Sequence, residues 1–333
     1  MSEKLLEIKD LQVSFFTPVG EVKAVNGINY SLGNNEVMGI VGESGSGKSV
    51  EAYAIMGLLQ SPGRVVGGQV LFDGENILTY DSKKMTDLRG NKISMIFQNP
   101  MTCLNPVYTI GDQLVEALTC HDKSISKVDA KARAVEMLEL VGINNAEKRF
   151  TQYPHEFSGG MRQRAMIAMA LACEPDILIA DEPTTALDVT IQAQILELMQ
   201  DLQKKMGMAI IIVTHDLGVI ASMCDEIIVM YGGRVCERGT ADAIFYHPAH
   251  EYTKGLMRSI PTPEKLGQRL VPIGGTPLNM LNMPEGCAFC PRCDSAMKIC
   301  LHELPEEIWV GQDHLAACWM NVAKLKQEAQ SNG

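Results

Sequence analysis

An eight-residue segment near the N-terminus has the composition of a phosphate-binding loop. It reads Gly-Glu-Ser-Gly-Ser-Gly-Lys-Ser over residues 42–49 and fits the pattern G-x-x-x-x-G-K-S. The glycines let the backbone wrap around phosphate, Lys48 would neutralise the β- and γ-phosphates, and the Ser49 hydroxyl would bind Mg²⁺. A glycine-rich turn with an incidental lysine is the alternative, which the apolar run just before the loop disfavours. The predicted ATP contacts in this segment are Gly42, Ser44, Gly45, Ser46, Gly47, Lys48, Ser49 and Val50.

Two acidic residues follow a second apolar run, at residues 177–180. A continuous apolar run of this kind is typical of a buried parallel strand. At the carboxyl end of such a strand, Asp181 would hold Mg²⁺ through water, and Glu182 would polarise the water that attacks ATP. Taken alone, the pair could equally be a solvated turn.

The surrounding pattern predicts the elements that must position these residues. Short apolar runs alternate with helical patterns, which indicates an α/β fold with a parallel sheet. From residue 261 the chain is rich in Pro and Gly and predicts a linker. We therefore expect a nucleotide-binding domain over 1–260 and a small, loop-rich C-terminal extension over 261–333. The predicted strands are 37–41, 93–97, 176–180 and 209–214, and the predicted helical regions are 112–142, 160–173 and 191–206.

The composition restricts the classes of function. With 46% hydrophobic and 21% charged residues, the chain has the composition of a soluble globular protein. Its net charge of −11 disfavours a nucleic-acid partner, because phosphates attract basic surfaces. No apolar run approaches the roughly 20 residues that a membrane-spanning helix needs. We therefore expect a cytoplasmic protein whose membrane role, if any, comes through partners.

Further motifs occur in a fixed order around the phosphate loop and the acidic pair. The segment 157–164 reads Phe-Ser-Gly-Gly-Met-Arg-Gln-Arg, residues 186–188 read Ala-Leu-Asp, and residues 214–216 read Thr-His-Asp. In order and spacing, these motifs resemble the ATP-binding subunits of ABC transporters over about residues 5–260. The resemblance implies a parallel-sheet core, an antiparallel β subdomain and a helical signature subdomain.

This resemblance also implies roles for individual residues. Gln98 would touch Mg²⁺ or water, and His215 would contact the γ-phosphate and help hold the attacking water. Phe15 would stack on adenine, with Phe16 as the runner-up, and Asp188 would shape a dimer interface. The signature residues would meet the γ-phosphate of ATP bound to the opposing subunit, and they are Ser158, Gly159 and Gly160. Phe157 and Met161 depart from the family's commonest signature, but the Ser-Gly-Gly centre is intact, which predicts an active enzyme.

Longer runs narrow the resemblance to a subgroup. IVGESGSGKSV, MIFQNPMTCLNP, IADEPTTALDVTIQAQIL and YHPAHEYTKGL look like the dipeptide and oligopeptide importer subgroup. This implies two integral membrane permease subunits, a second homologous ATPase subunit, a substrate-binding protein and a place on the cytoplasmic face of the membrane. The alternatives are import of nickel, glutathione or an oligosaccharide, and a soluble ABC ATPase with no transport role. A third alternative is a purely structural iron–sulfur protein with an inactive nucleotide fold, which the cysteines described below would allow. The complete set of predicted catalytic residues argues against it.

Five of the ten cysteines are concentrated in the C-terminal extension. They fall within residues 287–318 with the spacing C-x2-C-x2-C-x6-C-x17-C, which suggests a metal site. Local spacing alone nominates Cys287, Cys290 and Cys293. The subgroup resemblance instead implies a 4Fe–4S cluster, and it nominates Cys287, Cys293, Cys300 and Cys318. Zinc or no metal are the alternatives, and a structural staple suffices to explain such a site.

Overall fold

The computed structural model describes residues 4–98, 103–185, 187–260 and 272–331, with side chains described through residue 325. The chain forms two compact units. The first unit comprises Met1–Leu5, Leu32–Val37 and Asn76–Val213, and the second comprises Leu6–Ser31, Met38–Glu75 and Thr214–Gly333. The predicted linker begins with residues 261–271, which lie outside the described residues. The functional division into 1–260 and 261–333 stays a prediction.

The described chain contains both strands and helices throughout. The strands are β1 (Lys4–Thr17), β2 (Gly20–Gly33), β3 (Val37–Val41), β4 (Gly63–Phe72), β5 (Glu75–Asn76), β6 (Ile93–Ile96), β7 (Ile177–Asp181), β8 (Ala209–Thr214), β9 (Glu226–Tyr231), β10 (Arg234–Thr240), β11 (Ile308–Gly311) and β12 (His314–Ala316). The helices are α1 (Lys48–Ile55), α2 (Ser82–Leu88), α3 (Ile110–His121), α4 (Lys127–Leu140), α5 (Ala146–Phe150), α6 (Gly159–Leu171), α7 (Val189–Met206), α8 (Leu217–Met223), α9 (Ala241–Tyr246), α10 (Glu251–Ser259) and α11 (Trp319–Ser331). Among the described helices, none is long and apolar enough to cross a membrane.

The first unit is built on three parallel strands, in the order β6, β7, β8. Every residue of β7 and β8 is buried, which explains why both strands appear in the sequence as continuous apolar runs. Parallel strands end at the same edge of a sheet, so Asp181 at the end of β7 lies beside the end of β8. The predicted parallel core is confirmed in this unit.

The region predicted as one helical stretch, 112–142, is instead two helices, α3 and α4. Asp122 accepts a hydrogen bond from the backbone N–H of Ser124 and starts a turn after α3. Ser126 then caps α4 by accepting from the N–H of Asp129. The helical prediction is confirmed over α3 and α4 and was wrong for residues 122–126. The apolar period continues across this short polar segment, whose side chains end one helix and begin the next.

The second unit contains two groups of strands. One is a four-stranded sheet in the order β2, β1, β4, β5, in which β1 and β4 run antiparallel. In the other, β3 pairs with β9 in parallel, and β9, β10, β12 and β11 continue as antiparallel neighbours. The C-terminal extension, predicted to be rich in loops, therefore also contributes two strands to a sheet.

A buried carboxylate ties these late strands to the rest of the second unit. Glu237 on β10 is 1% exposed, and its carboxylate accepts a hydrogen bond from His314 Nε2 on β12 at 2.7 Å. The same carboxylate accepts from the backbone N–H groups of Ala249 and His250, at 2.6 and 2.9 Å. A buried carboxylate with three donors is well satisfied, so it fixes β12 and the start of α10 against β10.

Candidate nucleotide site and cysteine segment

The phosphate loop follows β3, and three of its glycines, Gly42, Gly45 and Gly47, have positive φ angles, two of them at positions with no room for a side chain. Gly42 and Gly47 have φ angles of 156° and 103°. A Cβ atom at Gly42 would lie 2.2 Å from the carbonyl oxygen of Met230, and one at Gly47 would lie 2.3 Å from that of Ala24. Glycine is therefore required at both positions, because any other residue would strain the backbone and would clash with a carbonyl oxygen.

Lys48 begins α1 and folds back over the loop. Its side chain is buried, and its Nζ donates to the carbonyl oxygens of Gly42 and Glu43 at 2.7 and 3.0 Å, and to Ser46 Oγ at 3.4 Å. The ammonium group is thus held at the centre of the loop, beside the N-terminus of a helix. Both the charge and the helix dipole favour an anion at this place.

Phe15 and Phe16, the two candidates for the adenine contact, lie on β1 of the second unit. The Phe15 ring is half-buried and packs on Gly63, where a Cβ atom would lie 2.5 Å from the ring. The Phe16 ring is 40% exposed and has the Arg64 guanidinium 4.2 Å from its centroid. His215, also in this unit, is exposed just after β8.

In the first unit, three polar residues meet at the end of β7. Gln98 Nε2 donates to Glu182 Oε2 at 2.6 Å, and Thr185 Oγ1 donates to the same oxygen at 2.9 Å. The backbone N–H of Glu182 donates to the carbonyl oxygen of Val213 at 2.7 Å. Asp181, the last residue of β7, is fully buried. The structure thus places two of the predicted site residues, Gln98 and Glu182, in direct contact.

Glu182 has a φ angle of 47°, in the left-handed region that non-glycine residues rarely adopt. Such strained backbone is concentrated at functional sites, where surrounding contacts hold it. Here those contacts are the hydrogen bonds from Gln98 and Thr185 and the bond to Val213. Glu182 was predicted from its place after an apolar run, whereas nothing in the sequence indicates its left-handed backbone or the hydrogen bond from Thr185.

The signature segment opens α6 in the first unit. Ser158 caps the helix by accepting a hydrogen bond from the N–H of Met161, and the next residue, Gly159, is exposed. Gly160 lies close to Ile191 on α7, where a Cβ atom would come within 3.0 Å of that side chain. Farther along α6, buried Gln163 donates to the carbonyl oxygen of Pro183 at 2.5 Å, which ties the signature helix to the turn after Glu182.

Asp188 lies at the start of α7, where its carboxylate accepts from the N–H of Ile191 at 2.9 Å. The side chain is exposed, so it is accessible to another chain while it caps the helix. The structure therefore shows a local role for Asp188 as a helix cap, and its role at a dimer interface stays a prediction.

The cysteine segment, residues 287–318, is held together by backbone contacts between distant positions. The N–H of Cys287 donates to the carbonyl oxygen of Cys300 at 2.8 Å, and Gly286 lies so close that a Cβ atom would be 2.2 Å from that oxygen. The N–H of Ala317, just before Cys318, donates to the carbonyl oxygen of Cys236 on β10 at 2.8 Å. These contacts bring separate parts of the segment into one region of the second unit.

The thiols of this segment influence one another. Burial, and then the nearby thiolate charges of Cys300 and Cys318, raise the pKa of Cys287 to about 11. Burial together with Cys300 raises the pKa of Cys318, and burial, Glu251, Cys318 and Cys300 raise that of Cys293. Among the residues that the structure describes, no group of three or more Cys, His, Asp and Glu side chains is arranged to hold a metal ion.

Comparison with known proteins identifies the family. Residues 25–185 match the family model described as ABC transporter, and residues 236–300 match the model for the C-terminal region of oligopeptide/dipeptide transporters. The oligopeptide transport ATP-binding protein OppD of Bacillus subtilis is 54% identical over 95% of this chain and 89% of its own length. The chain belongs to the ATP-binding subunits of oligopeptide and dipeptide ABC transporters. Members of this family are ATPases, so the chain binds and hydrolyses ATP.

Other relatives agree with this family. OppD of Salmonella typhimurium is 51% identical, over 96% of this chain and 95% of its own. The dipeptide transport ATP-binding protein DppD of Bacillus subtilis is also 51% identical, over the same shares. Among solved structures, a dimeric, post-hydrolysis form of the ATP-binding cassette MJ0796 bound to ADP and Pi matches with a TM-score of 0.64. That match has 27% identity over 71% of this chain and 98% of the cassette. The predicted ABC nucleotide-binding fold is confirmed.

Proposed function

We propose that this ATPase energises the uptake of dipeptides and oligopeptides through an ABC importer. The proposal is carried by the identity of about half of its residues, along almost the whole chain, to subunits named for oligopeptide and dipeptide transport. The complete set of motifs supports an active rather than a degenerate ATPase. An importer of the same subgroup for nickel, glutathione or an oligosaccharide, and a soluble ABC ATPase, are the alternatives that the experiment below tests.

In this proposal the nucleotide is held by the phosphate loop, with Lys48 and the loop amides on the β- and γ-phosphates and Phe15 against adenine. Mg²⁺ would be held by Ser49, Gln98 and Asp181, and it would stabilise charge on the phosphates. Glu182 accepts the proton of the attacking water, and Gln98, which donates to Glu182, fixes the direction of its carboxylate. His215 contacts the γ-phosphate.

The second half of each site comes from another subunit. Ser158, Gly159 and Gly160 present a hydroxyl and the N-terminus of α6, which suit an anion held by an opposing chain. The dimeric cassette bound to ADP and Pi supports this arrangement by similarity. We propose that the opposing chain is a second, homologous ATPase subunit, that Asp188 lies at their interface, and that two integral membrane permease subunits hold the pair on the cytoplasmic face of the membrane.

A transport assay tests the function directly. The full chain, co-expressed with candidate permeases and the homologous ATPase, should co-purify with them. Reconstituted into liposomes with a substrate-binding protein, the complex should accumulate a labelled tripeptide in an ATP-dependent manner. Competition by nickel, glutathione or an oligosaccharide but not by peptides would reassign the substrate. ATP hydrolysis by a chain that never associates with permeases would favour the soluble alternative, and full transport without the second ATPase would favour a homodimer.

We further propose that the cysteine segment binds a 4Fe–4S cluster through Cys287, Cys293, Cys300 and Cys318. The support for this proposal is that cysteines from separate positions lie in one region of the second unit, where burial, and to a smaller extent neighbouring thiolates, raise the pKa of Cys287, Cys293 and Cys318. Such thiols resist ionisation until a cation draws out the thiolates. Cys290, whose pKa is raised by burial and by Cys300, is left outside the set because the subgroup pattern lacks a cysteine there. When bound, the cluster supplies a staple for a segment with little apolar core of its own.

Iron and sulfide analysis after anaerobic purification tests the cluster. We expect roughly four iron and four sulfide ions per chain and a broad visible absorption, as for other 4Fe–4S proteins. Stoichiometric zinc without sulfide would show a zinc site instead. Purified protein with neither metal nor sulfide, under conditions that preserve clusters, would leave the segment as a metal-free fold.

A further inference from the structure

One residue of the phosphate loop is held by two side chains from the far end of the sequence. Glu43 directly follows Gly42, and its backbone N–H donates to the hydroxyl oxygen of Tyr252 at 2.7 Å. Its carboxylate accepts two hydrogen bonds from Arg292, at 2.6 Å from Nη1 and 3.0 Å from Nη2. All three residues lie in the second unit. The loop is therefore attached to a helix and to the cysteine segment by contacts that no local motif reveals.

Arg292 is placed by contacts on every side of its guanidinium group. Its side chain is only 5% exposed, compared with 28% for Glu43. Nε donates to the carbonyl oxygen of Gly274 at 2.9 Å, and Nη1 also donates to the Tyr231 hydroxyl at 3.2 Å. A buried, bidentate pair with additional hydrogen bonds is much stronger than an exposed ion pair and fixes direction as well as distance.

The same residue of the loop also contacts the phosphate-binding lysine. The carbonyl oxygen of Glu43 accepts from Lys48 Nζ at 3.0 Å. Glu43 is thus held at three points: its N–H by Tyr252, its carboxylate by Arg292 and its carbonyl by Lys48. A shift of the Glu43 backbone would move an acceptor of the ammonium group that meets the phosphates.

We propose that Arg292 is a positioning residue for the ATPase site, which sets the affinity for ATP through its bidentate ion pair with Glu43. The inference rests on the proposed role of the phosphate loop, and it assigns to the cysteine segment a direct influence on that loop. Arg292 lies between Pro291 and Cys293, a predicted cluster ligand, so the order of the segment determines whether the guanidinium group is in place.

The test measures binding of a fluorescent ATP analogue and steady-state ATP hydrolysis by the full chain. Arg292→Gln removes the charge while Glu43 can still be hydrated, and we expect the dissociation constant for ATP to rise about tenfold. At saturating ATP, kcat should change less than about twofold, because Gln98 and Glu182 are untouched. Arg292→Lys keeps the positive charge but cannot form the two parallel hydrogen bonds to the carboxylate, so we expect an intermediate rise of about threefold in the dissociation constant for ATP.

A double-mutant cycle separates positioning from a general structural effect. If the two residues act as a pair, adding Glu43→Gln to Arg292→Gln should raise the dissociation constant little beyond the single variant. Multiplicative effects of the two substitutions would overturn the proposal. Lys298→Gln, which removes an exposed charge from the same segment, is the matched control and should bind ATP as the wild type does.

Two further variants keep the result decisive. Lys48→Ala tests the phosphate loop itself: wild-type ATP binding in that variant would refute the nucleotide site, independently of Arg292. If Arg292→Gln does not fold, Arg292→Lys and Glu43→Gln carry the test. ATP affinity within twofold of wild type in both would overturn the positioning role, whereas weakened affinity with near-normal kcat in Arg292→Lys would support it.

Discussion

The motif of the phosphate loop lies within eight consecutive residues, whereas the cysteine segment is assembled by contacts between residues far apart in the chain. In the loop, Gly42 and Gly47 adopt the φ angles that close the turn, and Lys48 bonds to carbonyl oxygens a few residues away. In the segment, Cys287 pairs with the backbone of Cys300, and the residue before Cys318 pairs with β10. A local motif is thus read reliably from sequence, while a segment assembled from distant contacts is not.

The two regions are nevertheless connected. Arg292 of the segment forms an ion pair with Glu43 of the loop, so a change in one region can be measured in the other. The sequence gives no hint of this pair, because its members are separated by most of the chain. A substitution in either region should therefore be followed by measurements on both.

The largest expected effect comes from the end of β7, where the proposed general base lies. Glu182→Gln removes the proposed general base, so kcat should fall by at least about 10²-fold while ATP binding is retained. ATP should then trap a dimer, which light scattering or gel filtration would detect, and the iron content of the cysteine segment should be unchanged. The exposed Glu197 on α7 offers a matched control, since Glu197→Gln should hydrolyse ATP normally. ATP hydrolysis at the wild-type rate in Glu182→Gln would show that Glu182 is not the general base.

One physical reason explains both the strands that were predicted correctly and the elements that were missed. Strands β3 and β8 were predicted with correct bounds because each is a fully buried apolar run. The break between α3 and α4 was missed because the caps at Asp122 and Ser126 interrupt the apolar period only briefly. Strands β11 and β12 were missed because short strands at the margin of a sheet carry little pattern of their own.

The residues of the candidate site also fall into those that the sequence predicts and those that it does not. Lys48, Asp181 and Glu182 were predicted from local motifs and Gln98 from the family resemblance. The structure places Gln98 Nε2 2.6 Å from Glu182 Oε2, and the catalytic roles of these residues stay predictions. The left-handed backbone at Glu182 could not be predicted, because nothing in an Asp-Glu-Pro sequence requires it. Arg292 could have been suspected only from its place between two cysteines, in a segment otherwise read as a metal site.

A second prediction alters the cysteine segment and measures both regions. If the segment binds the proposed cluster, Cys300→Ser should remove most of the iron and the visible absorption, since one of the four proposed ligands is lost. Cys290→Ser, the matched control, should retain most of both. Through Arg292, the dissociation constant for ATP in Cys300→Ser should rise, but by less than the roughly tenfold expected for Arg292→Gln. Bleaching by Cys290→Ser would show that local spacing was the better guide to the ligands.

A third prediction concerns coupling at the end of β6. Gln98→Ala removes a donor to Glu182, so ATP hydrolysis should fall by a few fold, about the effect of losing one positioned hydrogen bond. If Gln98 also reports the nucleotide state to the permeases, peptide uptake in the reconstituted complex should fall further than hydrolysis. Thr185→Ala removes the other donor to the same oxygen and is the matched control. Equal losses of uptake and hydrolysis in both variants would argue against a coupling role.

The smallest expected effect is a pH dependence of stability that comes from α1. Glu51 on this helix is 1% exposed, and burial raises the pKa of its carboxyl to about 8, although the nearby Tyr30 hydroxyl lowers it somewhat. The folded state therefore binds this proton more tightly than the unfolded chain does. As pH rises from about 4.5 to 8, the free energy of unfolding must decrease, because folding increasingly requires either protonation or a buried charge.

Glu51→Gln, which mimics the protonated carboxyl, should remove this dependence. Chemical denaturation at pH 5 and pH 8 should show the wild type losing about 1–3 kcal/mol more stability than the variant over this interval. Glu197→Gln, which alters an exposed carboxylate, should follow the wild-type curve. Because Glu51 lies one turn from Lys48 and far along the chain from the cysteine segment, the iron content of the variant should equal that of wild type. Parallel pH profiles for wild type and Glu51→Gln would show that the carboxyl ionises in the folded state without cost, contrary to its burial.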